Sequence, residues 1–245
     1  MAARAAAWHV GAAGYGGAMV VRSPRRGVTR WQPPQPPTVP ASLTRGVLPD
    51  HDLDHEVSFD RVEFDGLDLT GRRAGGVQFE ECRLVRTDLA ETVLDRSQFS
   101  ECIAEQANWA NLKATKLTLL RCRLSGLRLT GLHWVDGGLR DVTISECRVD
   151  LASFRFSSFS AVLFEDCVLT GADFTGAKLG GARFVGCDLT GARFPEAQLK
   201  GAEFSRCTLA DIDGITNFAG AVIDSHDLIA LSYTLAGALG IQIRD

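Results

Sequence analysis

The sequence predicts an all-β solenoid in which the chain turns a corner every five residues and buries two residues at each step. Every fifth residue from Phe59 to Leu209, 31 positions in all, is apolar. The residue two places earlier is apolar or small in most units, and the other three positions are mostly polar or glycine. All seven cysteines fall at that second inward position. Neither an α-helix nor a flat strand, with periods of about 3.6 and 2 residues, sustains a period of five over such a length.

Composition and charge limit the classes of function. The 245 residues are 45% hydrophobic and 23% charged, which allows a buried core and excludes global disorder. No run of about 18 strongly apolar residues occurs, so we expect no transmembrane helix and no membrane partner. Residues 1–47 hold 6 of the 26 basic residues and no acidic one, which leaves 20 basic against 30 acidic residues afterwards. This acidic surplus disfavours direct nucleic-acid binding through a broad basic face.

Residues 1–49 differ from the rest and are predicted to form a disordered Arg/Pro-rich tail. Residues 5–21 are rich in alanine and glycine, but glycines interrupt the apolar run and no convincing cleavage site follows, which disfavours a secretory signal peptide. Residues 31–40 (WQPPQPPTVP) predict an extended polyproline II segment, either a spacer or an incidental ligand for a proline-reading domain. We therefore expect a cytoplasmic protein.

The repeating unit identifies the family that the body of the chain resembles. ADFTG at 172–176, CDLTG at 187–191 and TDLAE at 87–91 fit the unit A-[D/N]-[L/F]-x-x, and residues 57–212 resemble the pentapeptide repeat family. The resemblance implies a right-handed quadrilateral β-helix, in which four units form a square coil and the centre residue and the one two before it point inward. With coils about 4.8 Å apart, the repeats within residues 50–213 imply nearly eight coils and a rod of about 37 Å.

The cysteines test this geometry independently. Successive cysteines are 20, 20, 25, 20, 20 and 20 residues apart in the sequence, and 20 residues are the length of one four-sided coil. We predict a buried column of small apolar fillers, without disulfides or a metal site. At the one longer gap, either the column moves to the next face or one repeat length between Arg123 and Glu146 forms a loop; the uninterrupted inward pattern favours the first. The predicted column consists of Cys82, Cys102, Cys122, Cys147, Cys167, Cys187 and Cys207.

The repeat pattern lapses after Leu209, and residues 214–245 are predicted to form a C-terminal cap or dimerisation segment. Ser225 is a candidate N-cap of a helix, Gly240 a candidate residue just after its C-terminus, and residues 241–243 alternate like a short strand. The helix either caps a monomer or forms a homodimer. The layout is similar to that of gyrase-protecting pentapeptide repeat proteins, which implies the dimer. The candidate residues are Leu228, Leu231, Leu235 and Leu239.

The sequence contains no recognisable catalytic constellation. No nucleophile elbow, P-loop or dinucleotide fingerprint occurs, and we predict a non-enzymatic protein without catalytic residues, cofactors or metals. The first hypothesis is a scaffold for protein–protein interaction. The alternative, implied by the resemblance, is a DNA mimic that binds DNA gyrase and modulates it or protects it from quinolones. A candidate acidic stripe beside the cysteines supports the alternative: Glu80, Glu81, Glu101, Glu146, Glu165 and Asp166.

Overall fold

The computed structural model describes residues 31–242, and its core is a stack of parallel strands. Strand partners in neighbouring coils lie 20 positions apart, as in the pairs Phe64–Leu84 and Leu119–Leu139. Since each coil holds four repeats, the parallel register confirms the four-sided β-solenoid. The solenoid makes about 9 turns, slightly more than the sequence predicted.

Most strands are short because the backbone turns after every repeat. The strands are β1 (Thr44–Arg45), β2 (Ser58–Asp60), β3 (Val62–Asp65), β4 (Arg73–Gly75), β5 (Gln78–Glu80), β6 (Arg83–Val85), β7 (Val93–Asp95), β8 (Gln98–Ser100), β9 (Ile103–Glu105), β10 (Lys113–Thr115), β11 (Thr118–Ser125), β12 (His133–Val135), β13 (Gly138–Ser145), β14 (Ser158–Glu165), β15 (Ala182–Val185), β16 (Glu203–Ser205) and β17 (Val222–Ile223). Two 3₁₀ helices (Ile215–Phe218 and Ser225–Asp227) and the α-helix α1 (Leu228–Ala238) complete the described secondary structure.

The solenoid has four faces, which we name A to D after the inward centre residues of their repeats. All 31 centre residues are buried, and none is more than 5% exposed, which confirms the predicted period. Successive centres on one face are one coil apart. Face A runs from Phe64 to Phe204, face B from Leu69 to Leu209, face C from Ala74 to Phe194 and face D from Phe59 to Leu199.

The corners between faces use a left-handed backbone conformation two residues after nearly every centre. The φ angle is +67° at Gly171 and +52° at Glu81, two typical corners. Glycine adopts this conformation freely, whereas an L-residue is disfavoured by about 1 kcal/mol or more. Hydrogen bonds between coils offset that cost; the Glu81 N–H, for example, donates to the Ser100 carbonyl at 3.0 Å.

Inward residues compensate one another in size at the corner between faces C and D. The large Trp134 is followed three residues later by Gly137, whereas the small Ala114 is followed by Leu117. A Cβ atom on Gly137 would lie 2.0 Å from the Nε1 of Trp134, so the indole occupies the space of the missing side chain. The ladder from β11 to β13 stays in register through Gly138, without an inserted loop.

The structure differs from the predicted tail at residues 31–49, which lie against the solenoid. β1 pairs with β3, and Thr44 lies opposite Val62 in a register slightly shorter than a regular coil. The ring of His51 lies 6.1 Å from that of Phe59 and closes the open end of the core together with the buried Leu53. A proline-rich composition determines an extended backbone but not whether that backbone docks on a surface. The rest of the predicted tail, including residues 5–21, lies outside the described residues.

At the other end, the coil continues past the predicted boundary although Gly214 replaces an apolar centre. The side-chain amide of Asn217 donates to the carbonyl of Phe194, 23 residues earlier, at 3.0 Å. β17 then pairs with β16, and Ile223 lies opposite Phe204, one position short of a full coil. This last partial coil was not predicted because its polar and glycine positions no longer follow the apolar period.

The α-helix α1 follows directly on the second 3₁₀ helix. The N-cap of that 3₁₀ helix is Asp224, whose side chain accepts the N–H of His226, rather than the predicted Ser225. At the C-terminus of α1, the N–H of Ile241 donates to the carbonyl of Ala236 at 2.8 Å. Gly240 has a φ of +70°, which completes a Schellman motif and confirms its predicted place after the helix. Residues 241–242 form no strand, and residue 243 lies outside the described residues.

Candidate functional site

The seven cysteines are buried and free, and they form two columns on neighbouring faces. The ladder between β11 and β13 is continuous, with Cys122 opposite Val142, so the one longer interval between cysteines moves the column one face along and adds no loop. Of the two alternatives that the sequence left open at this gap, the structure thus shows the favoured one, and the cysteines form two columns. The first column, before the centres of face A, contains Cys82, Cys102 and Cys122; the second, before the centres of face B, contains Cys147, Cys167, Cys187 and Cys207.

Each thiol makes the same pair of hydrogen bonds. The Sγ of Cys82 donates to the carbonyl of Phe59, 23 residues earlier, at 3.3 Å and to that of Glu80 at 3.2 Å. The hydroxyl of Thr87 donates in the same way to the carbonyl of Phe64, also 23 residues earlier, at 2.8 Å. Buried carbonyl groups need a donor, and a small side chain at the second inward position supplies it. The cysteines are thus hydrogen-bonding core residues as well as apolar fillers.

Hydrogen bonds among the thiols and their burial shift the thiol pKa values in both directions: upward for Cys102, Cys167, Cys187 and Cys207, and downward for Cys82 and Cys147. Burial raises the pKa of Cys102 far above its usual range. The hydrogen bond with Cys147 raises the pKa of Cys167 to about 12, and the hydrogen bond with Cys167 raises that of Cys187 to about 12. A thiolate is the reactive form of cysteine, so the thiols with a raised pKa are suited to packing and not to nucleophilic chemistry.

The candidate acidic stripe is divided between two corners because the cysteine column changes face. Glu81 and Glu101 lie at the corner between faces D and A, one coil apart, and Glu80 precedes Glu81 on face D. Glu146 and Asp166 lie at the corner between faces A and B, with Glu165 beside Asp166 on face A. The structure therefore brings the six residues together as two separate groups of three.

Arginines pair with the group at the corner between faces D and A. The Nε of Arg61 lies 2.7 Å from an Oε of Glu81, one coil along. Arg121 pairs with Glu101 in the same way, and the side chain of Glu101 is only 12% exposed. Opposite charges therefore lie side by side along this corner. The pairing lowers the negative potential that the two carboxylates alone would produce.

The four leucines of the predicted cap have two different environments. Leu231 is 1% exposed and packs against the end of the core, whereas Leu228 and Leu239 are 52% and 75% exposed. Leu235 is 39% exposed. One side of α1 thus anchors the helix to the solenoid, and apolar side chains remain on its other sides.

The C-terminal segment concentrates the exposed hydrophobic surface of the described residues. Of the 12 large hydrophobic side chains that are exposed, 7 lie within residues 222–241. Contiguous exposed apolar patches on soluble proteins mark interaction surfaces more often than scattered single residues do. We name these seven residues the C-terminal patch: Val222, Leu228, Ile229, Tyr233, Leu235, Leu239 and Ile241.

Sequence reasoning missed the role of Asp227. Its carboxylate is buried and accepts the backbone N–H of Cys207 at 2.9 Å. In the preceding coils, the thiol of Cys147 accepts the N–H of Leu127, one coil earlier, at 3.3 Å. The signal was present, because Asp227 follows the last cysteine by one coil length.

The described part of the chain offers little for metal chemistry or membrane insertion. Within residues 31–242, no three His, Cys, Asp or Glu side chains are grouped so that they could hold a metal ion. None of the helices in this range has the length and hydrophobicity needed to cross a bilayer. A cleft of about 450 Å³ lies between the N-terminal segment and face A and is lined by prolines, Glu63, Arg83 and Ile103.

The five-residue period, the four faces and the buried centres are the features by which the family is recognised. A family model described as a pentapeptide repeat region matches residues 55–129, 121–194 and 157–225, which together span more than half of the chain. The chain belongs to the pentapeptide repeat family. No curated relative of this pentapeptide repeat protein is found.

Solved structures similar to this pentapeptide repeat protein include those of HetL and QnrB1. HetL, a pentapeptide repeat protein involved in heterocyst differentiation regulation in the cyanobacterium Nostoc sp. strain PCC 7120, is 17% identical, with 69% of this chain and 85% of HetL covered and a TM-score of 0.46. QnrB1, a plasmid-mediated fluoroquinolone resistance protein, is 19% identical, with 83% of this chain and 100% of QnrB1 covered and a TM-score of 0.34.

Proposed function

We propose that this pentapeptide repeat protein is a non-enzymatic scaffold for protein–protein interaction, and that it forms a homodimer through the C-terminal patch. The observation that carries the proposal is the concentration of exposed large hydrophobic side chains at that one end of the solenoid. Elsewhere on the described surface, exposed large hydrophobic residues are few, such as Leu151 and Phe156. Removal of apolar surface from water is the dominant favourable term in most protein association, so the patch is the most favourable place for a partner.

A second copy of the chain fits this patch because a twofold interface buries the same apolar surface on both subunits. Leu231 already holds α1 against the core, so dimerisation would require no rearrangement of the helix. In such a dimer the two solenoids would project from a central helical contact. The surfaces of the solenoids that residues 31–49 leave uncovered would then be available to further partners.

Sedimentation velocity of the full chain at several concentrations tests the dimer. Leu239→Glu places a charge in the patch, at a side chain that is 75% exposed, and is expected to shift the protein to monomer. Leu151→Glu is the matched control, since this leucine is 68% exposed on the solenoid and lies outside the patch. A wild-type monomer at all concentrations, or equal effects of the two variants, would contradict the dimer.

The alternative function is binding to DNA gyrase by DNA mimicry, favoured by the surplus of acidic over basic residues after residue 47. The pairing of Arg61 with Glu81 and of Arg121 with Glu101 reduces the acidity of one corner. A gyrase supercoiling titration with the full chain, with and without a fluoroquinolone, separates the two functions. Inhibition or drug protection that is lost in Glu80→Lys and Glu146→Lys, but kept in the control Glu196→Lys, would favour mimicry. No effect at a large excess over gyrase would leave the scaffold.

A further inference from the structure

Residues 31–43, which we name the strap, dock on the solenoid with a period of three. Every third residue from 31 to 43 is partly buried, which we call shielded, and the two residues between are mostly exposed. A polyproline II helix has three residues per turn, so a residue type repeated every third position forms one continuous stripe. Val39, outside this period, is also partly buried, and the five shielded residues of the stripe itself are all apolar: Trp31, Pro34, Pro37, Pro40 and Leu43.

The stripe lies on the outward positions of face A. The guanidinium of Arg183 is 5.0 Å from the centre of the Trp31 ring, in a cation–π contact. Toward the other end of the strap, Pro37, Pro40 and Leu43 line a cleft together with Arg83 and Ile103 of face A. Arg83, Ile103 and Arg183 all directly precede face A centres, so the strap crosses the coils along one face between residue 183 and residue 83.

The solenoid also binds the backbone of the strap through hydrogen bonds. Four prolines between residues 33 and 37 lack an N–H group, which leaves few backbone donors in this part of the strap. The N–H of Gln35 donates to a carboxylate oxygen of Asp141 at 3.1 Å, and that of Thr38 to a carboxylate oxygen of Glu101 at 2.8 Å. Asp141 and Glu101 lie two coils apart at the same corner, beside face A. Apolar contact and backbone recognition thus act together along the strap.

We propose that face A, with the corner that carries Glu101 and Asp141, is a binding site for an amphipathic polyproline II segment, and that the strap is its resident intramolecular ligand. A proline-rich segment is already extended before it binds, so it loses little conformational entropy on docking. The strap continues directly into β1, and this short connection gives it a high effective concentration at the site. Face A therefore accepts a proline-rich segment of another chain only after the strap has been displaced. This site is distinct from the C-terminal patch and does not rest on the dimer.

Two full-length double variants carry the same pair of Pro→Glu substitutions, placed one residue apart along the strap. P34E/P37E places two charges on the docked stripe, whereas P33E/P36E places the same charges on exposed positions one residue earlier. Composition and net charge are equal in the two variants. Hydrogen exchange measured by mass spectrometry is expected to speed up by about tenfold or more at Gln35 and Thr38 in P34E/P37E and to stay as in the wild type in P33E/P36E. Equal exchange in both variants would overturn the docked strap.

A labelled peptide with the sequence of residues 29–45 then tests the site itself by fluorescence anisotropy. It is expected to bind P34E/P37E, whose site is vacant, and not the wild type or P33E/P36E, whose sites are occupied. Addition of Ile103→Glu to P34E/P37E is expected to abolish the binding, because Ile103 lines the cleft under the strap. Absence of peptide binding to P34E/P37E, or binding that Ile103→Glu leaves unchanged, would overturn the proposal. A wild-type dimer that P34E/P37E dissociates would mean that copies exchange straps, and would overturn the intramolecular assignment.

Discussion

The central coils (residues 102–141) and the C-terminal coils (residues 162–209) fill the same interior in different ways. In the C-terminal coils, phenylalanines stack in columns on faces A and C, while leucines occupy faces B and D. The rings of Phe164 and Phe184 are 4.9 Å apart at an interplanar angle of 6°, and those of Phe174 and Phe194 are 5.1 Å apart at 6°. The centres on any one face there are identical, and each coil repeats the centres of the one before it.

The central coils have no such repetition and contain both buried tryptophans of the solenoid core. Trp109 lies between the small centres Ala104 and Ala114, and Trp134 is accommodated by Gly137. A cavity of about 10 Å³ remains beside Trp109, and the Nε1 of each tryptophan has no hydrogen-bond partner among the described residues. The difference shows that the fold requires a filled coil, not a fixed residue at each position. Volume is conserved over a coil and its neighbours.

The largest effect is expected where one residue supplies most of the volume. Trp109→Ala removes a buried indole whose small neighbours cannot fill the space, and should lower the free energy of unfolding by about 3–5 kcal/mol. Chemical denaturation measures this loss. Phe156→Ala, at a ring that is 52% exposed, is the control and should change stability little. A denaturation midpoint that Trp109→Ala leaves unchanged would show that the indole does not fill the core.

Added volume in the central coils should also destabilise. Gly137→Ala places a Cβ 2.0 Å from the Nε1 of Trp134 and 2.6 Å from the carbonyl oxygen of Leu117, and should cost about 1–3 kcal/mol. At the neighbouring Gly138, the nearest atom to a new Cβ is 3.7 Å away, so Gly138→Ala should stay within about 0.5 kcal/mol of the wild type. Thermal unfolding of the two variants compares them directly, and equal melting temperatures would refute the compensation between Trp134 and Gly137.

A smaller effect is expected in the C-terminal coils, where the volume is distributed evenly. Phe184→Leu interrupts a stack with rings 4.9 Å away on both sides but retains an apolar side chain of a size already used in these coils. The loss of two stacked ring pairs should cost about 1–2 kcal/mol in chemical denaturation. If Phe184→Leu were as destabilising as Trp109→Ala, the contrast between the two regions would be lost.

The smallest effect is expected in the cysteine columns. Cys167 donates to the carbonyls of Ile144 and Glu165, both at 3.3 Å, and Ser157 makes bonds of the same kind from the equivalent position of another face. Cys167→Ser keeps the donor, so the free energy of unfolding should change by less than about 1 kcal/mol. A loss of more than about 2 kcal/mol in the same assay would assign the sulfur a packing role that the hydroxyl cannot replace.

Much of the repeat geometry was predictable because the period of the sequence is the period of the coil. The burial of every centre from Phe59 to Leu209 follows from that relation, as does the uniform spacing of the cysteines within each column. The acidic stripe could not be predicted so well, because its six residues were grouped only by their position just before a cysteine in the sequence. When the cysteines change face between Cys122 and Cys147, residues with the same local sequence come to lie at different corners.

The candidate surfaces depend still more on contacts that the local sequence does not specify. The spacing of Leu228, Leu231, Leu235 and Leu239 predicts a helix but does not distinguish the leucine that meets the core from those that remain exposed. The apolar residue at every third position of the strap is visible in the printed sequence. Its importance becomes clear only when Glu101 and Asp141 accept two of the strap's backbone N–H groups.

Local and repeated patterns of residues are enough to predict the inward positions, the corner every five residues, the length of a coil and the helix that follows. These depend on burial and backbone preferences that recur in each unit. Three features emerge only once the chain has folded: the face that each residue occupies, the space that Gly137 leaves for Trp134, and the docking of residues 31–43 on face A. Those outcomes depend on residues far apart in the chain, such as Trp31 and Arg183, whose contact exists only after the coils have stacked.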